Sequence, residues 1–273
     1  IYTAEFPIED IEQDMPDSLS GYNMYKFTFG AVRDDVFGLT TRSTAFTLVP
    51  IADTLDFGKN AKFRQFHLSA VADSISYADP TQQYILQNIN VYELESPLNL
   101  SKLNPEIKYN RKRITDGVPV YNGMDSLSID FSKKFGEKYM GITAADMDTI
   151  TNYTKKFPGI YINTDVPAGN GGRINMFRLP ISVNSGTIYG SYAELKFTAD
   201  YGDRKQVDTS FLFYLGPMSL YDLSNVKSTT VAKQTQIAYD MTTHSSKGLQ
   251  GKAEKTILME GGKGLKPVIK AKG

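Results

Sequence analysis

The chain has 273 residues, 41% hydrophobic and 22% charged, which suits one large β domain or two small ones with a sizeable core. Its 30 Lys and Arg balance its 30 Asp and Glu, so no global charge draws it to nucleic acid or to an acidic membrane surface. The absence of cysteine rules out disulfides, thiolate nucleophiles and Cys-based zinc sites, and two histidines are too few for a His-rich metal cluster.

Residues 1–19 form an acidic lead. Glu5, Glu9, Asp10, Glu12, Asp14 and Asp17 stand there without Lys or Arg, and a solvated tether is expected. The chain begins at Ile1 with no basic start and apolar stretch, which reads as a trimmed or mature form. No run of 18 apolar residues is present to span a membrane.

From Gly21 the pattern becomes strand-like, and "YNMYKFTFG" is expected to end on a glycine turn. "DDVFGLTT" at 34–41 then raises the first chemical question, because Asp34 and Asp35 are adjacent carboxylates. Neighbours on an extended chain point to opposite faces, so the two do not readily share a proton. The expectation is a turn in which the Asp side chains accept from backbone N–H groups ahead, Gly38 takes a positive φ and Phe37 folds back on the core. "STAFTLVP" is a strand stopping at Pro50. "KFRQFHLSAV" alternates, with Phe66, Leu68 and Ala70 opposite Gln65, His67 and Ser69. "QNINVYELE" is a further strand around Ile89, Val91 and Tyr92.

"NRKRITDGVP" at 110–119 is basic and lacks a core pattern, so it is the fallback boundary inside a single domain spanning 20–273. Helices are expected at about 132–140 and 144–156, the second with Met147, Ile150, Thr154 and Phe157 on one face, Thr143 or Asp146 as cap, and Pro158–Gly159 as stop. "GIYINTDVPAGNGGRINMFRLP" is expected to be a hairpin turning on its glycines. "YAELKFTADYGDRKQVDTSFLFYL" is the clearest unit, a hairpin with Leu195, Phe197, Phe211 and Phe213 inward. From Tyr221 onward nine lysines face four acids, and "KTILMEGGKGLKPVIKAKG" reads as two short strands around a Gly-rich turn.

Little in this chain signals catalysis. A Ser-His-Asp triad would have to use His67 or His244, and both read more simply as structural or surface residues. "HExxH" and "GxSxG" are absent. "AGNGG" at 168–172 lacks the following Lys-Ser/Thr and helix of a phosphate loop, and "DMD" at 146–148 and "TD" at 164–165 lack the ligand spacing of an EF-hand. No catalytic, cofactor-binding or metal-ligating residue is therefore assigned. No cofactor is expected, and a structural calcium between loops is the one ion the sequence leaves open. The 17 Tyr and 15 Phe, without Trp, are read as strand packing.

Several stretches in order resemble an exported family of Bacteroidetes proteins, domain-of-unknown-function family 4270. They are "GAVRDDVFGLTTRSTAFTLVP", "QNINVYELESPLN", "SLSIDFSKKFGEKYM" with "FPGIYI", "AELKFTADYGD" and "ILMEGGKGLKPVI", covering roughly residues 22–270. The resemblance implies export and an anchoring lipid on a cysteine upstream of Ile1, so that the membrane is met only through that removed segment. It implies no catalytic residue. The expected fold is all-β, a two-sheet jelly-roll-like sandwich with a small helical insertion. The expected function is that of a non-catalytic cell-surface module binding a glycan or another surface protein. A carbohydrate-active hydrolase or accessory enzyme and a structural subunit of a surface assembly are the alternatives.

Overall fold

The fold is that of a computed structural model, which describes residues 8–15, 21–23, 25–77, 79–102, 105–184, 187–216, 238–244, 250–252, 257–259 and 265–271. The first half carries β1 (Ile8–Asp14), β2 (Tyr22–Asn23), β3 (Lys26–Asp34), β4 (Gly38–Pro50), β5 (Lys59–Tyr77), β6 (Gln87–Leu94), β7 (Tyr109–Arg113), β8 (Val120–Tyr121) and β9 (Leu127–Asp130). The helices α1 (Lys133–Met140) and α2 (Ile150–Lys156) follow. Then come β10 (Ile160–Thr164), β11 (Gly171–Arg178), β12 (Ser182–Asn184), β13 (Thr187–Tyr189), β14 (Tyr192–Tyr201), β15 (Arg204–Gly216), β16 (Ala238–His244), β17 (Gly251–Lys252) and β18 (Lys266–Ala271).

The all-β sandwich expected from the sequence is the fold observed. Its main body is a 13-stranded antiparallel sheet whose path runs β15-β14-β5-β11-β3-β4 and returns, because β15 also pairs with β4. The two longest strands make this closure. β5 pairs with β14 over its first part and with β11 from Val71 to Tyr77. β4 pairs with β3 at Gly38–Arg42 and with β15 at Thr47–Pro50. Each thus changes partner along its length. β10, β6 and β7 continue outward from β4, and β9 lies beside β5.

The alternating residues explain the layers. Phe66, Leu68 and Ala70 are wholly buried, as are Leu195 and Phe213, and Phe197 nearly so; Phe211 is partly buried. Burying each such large side chain contributes about 1.5–3 kcal/mol. Phe177 stacks between Phe27 and Phe29 at ring distances of 5.2 and 5.0 Å. α1 sets Phe135 and Tyr139 against Phe66, and Tyr139 edge-on to Phe213.

The helices start where side chains satisfy their free N–H groups. The Ser132 hydroxyl accepts from Phe135 N at 3.3 Å, and the Thr149 hydroxyl from Asn152 N at 3.1 Å. Thr143 and Asp146 form a reciprocal box, but around the short 3₁₀ turn Ala145–Met147 that precedes α2. α2 is therefore shorter than the expected 144–156 and is capped by Thr149. Its Tyr153 hydroxyl donates to Leu48 O at 2.6 Å, tying it to β4.

Other expectations also need correction. β10 and β11 do not form a hairpin: β10 pairs with β4 and β6, whereas β11 pairs with β3 and β5. The connection crosses between them, and Gly171 and Gly172 open β11 where the chain must pass close to its neighbours. Gly30 does not end β3 but lies inside it, opposite Ile174. The acidic lead is not wholly a solvated tether, because Ile8–Asp14 is the central strand of a three-stranded sheet with β17 and β18. Of the two closing strands, β18 forms and pairs with β1 rather than with a hairpin neighbour; the Gly-rich turn at 260–264 lies outside the described residues. Strands from before and after the basic stretch 110–119 are mixed within the one large sheet, with β5 between β14 and β11, and Ile114 joins the core.

Candidate functional site

β7 is an outer strand of the main sheet, paired among the described residues with β6 alone. Just past it the chain turns in, and Ser132 N donates to Ile114 O at 2.8 Å, which fixes the start of α1 beside the end of β7. Between strand and helix lies a cleft of about 530 Å³ with Ile114 and Phe135 at its floor. Its volume lies in the range of small-ligand sites, about 300–1,000 Å³.

The charge of this cleft follows from two pieces of sequence. "NRKRITD" supplies Lys112, Arg113 and Asp116, and α1 supplies Lys134 and Lys138, which share one helix face because they are four residues apart. Lys138 forms an ion pair with Glu93 of β6 and lies 5.7 Å from the Phe157 ring centre. Arg113 donates to Asn90 Oδ1 at 2.6 and 3.3 Å, and its charge is felt by the Asp165 carboxylate bonded to the same Asn90. Lys112, Lys134 and Asp116 make no ion pair among the described residues.

From Arg113 a polar ladder runs across the outer face. Asn90 donates to Asn163 and to Asp165, and Asn88 donates to the other Asp165 oxygen at 2.9 Å. These amide donors hold the Asp165 carboxyl below the usual carboxylate range. Beside them Tyr92, Tyr109 and Tyr161 stack, with Tyr109 and Tyr161 only 4.2 Å apart at 18°. Burial pushes the Tyr109 phenol up, and the neighbouring Tyr161 adds to it.

The residues singled out from sequence fall elsewhere. Asp34 is a turn-maker: its Oδ1 accepts from Val36 N and Phe37 N, both at 2.8 Å, and Gly38 has φ 73°. Asp35 has a different task, accepting from Asn170 Nδ2 at 2.6 Å and so tying this turn to the 165–170 connection. Asp146 pairs with Lys156 at 3.0 Å; burial raises its pKa, but hydrogen bonds from Thr143 and Lys156 outweigh this and lower it. His244 ends β16 opposite Thr40, and its side chain lies outside the described residues.

His67 does find two partners. Its Nδ1 is 2.7 Å from Asp130 Oδ1 and its Nε2 is 3.2 Å from Ser128 Oγ. The order of contacts is that of a Ser-His-Asp relay, produced by strand pairing: His67 faces Asp130, and Ser69 faces Ser128. A hydrolase also requires donors for an oxyanion and a setting that excludes water. Here the Asp130 side chain is 63% exposed and is shared with Gln65 Nε2 at 2.8 Å. The group is built as a cross-strand polar cluster.

Two features escaped the sequence reading. The basic stretch at 110–119 read only as a fallback domain boundary and is one wall of the cleft; its signal is the run Arg111, Lys112, Arg113 directly after Tyr109 and Asn110. Arg173 was not singled out, yet it is wholly buried. Its guanidinium donates to Asn175 Oδ1 and to the carbonyls of Gln83, Ile85 and Tyr121, at 2.6 to 2.9 Å. Burial lowers its pKa, and the neighbouring Tyr121 opposes this. The charge is solvated by backbone dipoles in place of a carboxylate.

Among the described residues no group of three or more His, Asp or Glu lies together in a way that holds a metal ion, and no helix is long and apolar enough to cross a membrane. Comparison with family models, curated proteins and solved structures finds no match to this chain.

Proposed function

We propose that this protein is a non-catalytic binding module of the cell exterior, and that its ligand, a glycan, sits in the cleft between β7 and α1. The observation that carries the reading is the cleft itself: its size is that of a small-ligand site and its charged side chains are in large part unpaired. Export rests on the ordered resemblance to the lipid-anchored family described above. The test is to screen the full chain on a glycan array beside Asn110→Trp, which fills the cleft from an exposed position. Capture of a glycan by the parent and its loss in the variant is the expected result. Capture that ignores Asn110→Trp would remove the cleft from the proposal, and no capture at all would remove the glycan.

Two rivals have an observation each. The Ser128–His67–Asp130 chain favours a hydrolase. If it acts, the full chain hydrolyses an activated acyl ester and Ser128→Ala abolishes the activity; the binding-module reading expects identical, background rates. Val268 and Ile269, exposed at 42% and 59% on β18, favour a subunit of a surface assembly. That reading expects a sedimentation coefficient that rises with concentration and falls back in Ile269→Lys.

A further inference from the structure

We infer that the ligand of the cleft is an acid-bearing oligosaccharide, a sugar chain carrying carboxylate or sulfate groups; the inference rests on the binding-module reading above. Lys112 and Lys134 reach the cleft from opposite walls, β7 and α1, and neither has a carboxylate partner among the described residues. Arg113 is partly offset by Asp165 across Asn90. Lys138 is already neutralised by Glu93. The cleft therefore presents the positive charge of Lys112 and Lys134 from exposed positions, where attraction for an anion is screened by salt. The N-terminal end of α1, capped by Ser132 at the cleft, adds to it in the same sense.

Cations alone do not identify a sugar. The discriminating group is Asp116, a carboxylate in the same cleft with no basic partner among the described residues. A ligand that is anionic along its whole length is repelled there. A ligand with acid groups and hydroxyls meets both needs, because its acid faces the lysines and a hydroxyl donates to Asp116. The Ser132 hydroxyl, whose oxygen accepts from Phe135 N, keeps its proton to donate. Uronic acids and sulfated sugars have this mixture of groups. The volume of about 530 Å³ admits a short stretch of such a chain.

The test is calorimetric titration of the full chain with three matched pairs: oligogalacturonate and its methyl ester, an alginate oligosaccharide and its methyl ester, and a sulfated glycosaminoglycan oligosaccharide and its desulfated form. A glutamate-rich peptide is the fourth probe. At least one acidic sugar is expected to bind, at least tenfold more tightly than its neutral partner, with Kd rising as salt is added. Lys112→Ala and Lys134→Ala should each weaken it severalfold, and Asp116→Ala should weaken it too, with unfolding midpoints unchanged. The last effect separates this inference from mere charge attraction, since removing a carboxylate would otherwise strengthen anion binding. A neutral sugar bound as tightly in the same cleft overturns the acid class and leaves the binding module standing. A peptide bound as tightly as the best sugar, or stronger binding in Asp116→Ala, overturns the sugar assignment. Failure of every sugar, acidic and neutral, overturns this inference and the glycan-binding reading together.

Discussion

The connection from β14 to β15 and the connection from β10 to β11 each place glycines between two apolar strands, yet one reverses the chain and the other carries it across the molecule. At Gly202–Asp203 the chain turns back in two residues, and β14 and β15 pair from Tyr192↔Tyr214 to Tyr201↔Arg204. A Cβ added at Gly202 meets nothing within 4 Å; only its φ of 59° asks for glycine. At Gly172 φ is 92°, and an added Cβ falls 2.2 Å from Ala31 O, inside the backbone of β3. The first glycine answers a local need of the turn. The second answers a distant strand. The same residue type therefore carries opposite information depending on what lies beside it, and nothing within a ten-residue window distinguishes the two.

That contrast can be broken by substitution. The largest effect is expected for Gly172→Val, where a backbone carbonyl must move; the loss should exceed about 4–5 kcal/mol, enough to leave little folded protein. A thermal melt near that of the parent would mean that the crossing is not held as described. Next comes Phe197→Ala in the hairpin, whose side chain is 1% exposed; chemical denaturation should register a loss of about 3–5 kcal/mol. Gly202→Ala should cost only about 1–2 kcal/mol, from strain in φ without a clash. If Gly202→Ala proves as damaging as Gly172→Val, the distinction between a local and a distant cause fails.

The smallest effect concerns Asp200, near the same hairpin tip. Asn60 Nδ2, the Gln206 backbone N–H and the Gln206 side chain all donate to it, and these bonds hold its carboxyl down to about 2 from an ordinary 3.8. A lowered carboxylate pKa stabilises the fold fully above the unfolded value and loses that contribution as pH falls from there toward the folded value. The parent should therefore lose stability between about pH 4 and 2 more steeply than Asp200→Asn, as read from urea midpoints at stepped pH. Parallel curves for the two proteins would remove Asp200 from the account.

How much of this was legible follows the same line. The β14–β15 hairpin, the alternation of Phe66, Leu68 and Ala70, the Asp34–Gly38 turn and both helices were readable because the residues that cause them are neighbours in the chain. The crossing from β10 to β11 was not, because its partners on β3, β4, β5 and β6 lie far away in sequence. The cleft was half legible. "NRKRITD" shows the cations, but only the hydrogen bond from Ser132 N to Ile114 O brings α1 beside them. The contacts of His67 were hidden for the same reason: Ser128 and Asp130 reach it through strand pairing, more than sixty residues on. Arg173 carries no local mark at all, since its carbonyl acceptors come from two other segments, 83–85 and Tyr121.

The closed circuit has a consequence for how such a chain must be made. β3, β4 and β5 emerge first during synthesis, while their partners β11, β14 and β15 come only after residue 170. At about 5–20 residues per second, β5 waits on the order of ten seconds for β14, and β4 for β15. Through that interval the edge of β5 that β14 will cover stands open. The circuit shuts only when β15 returns to β4.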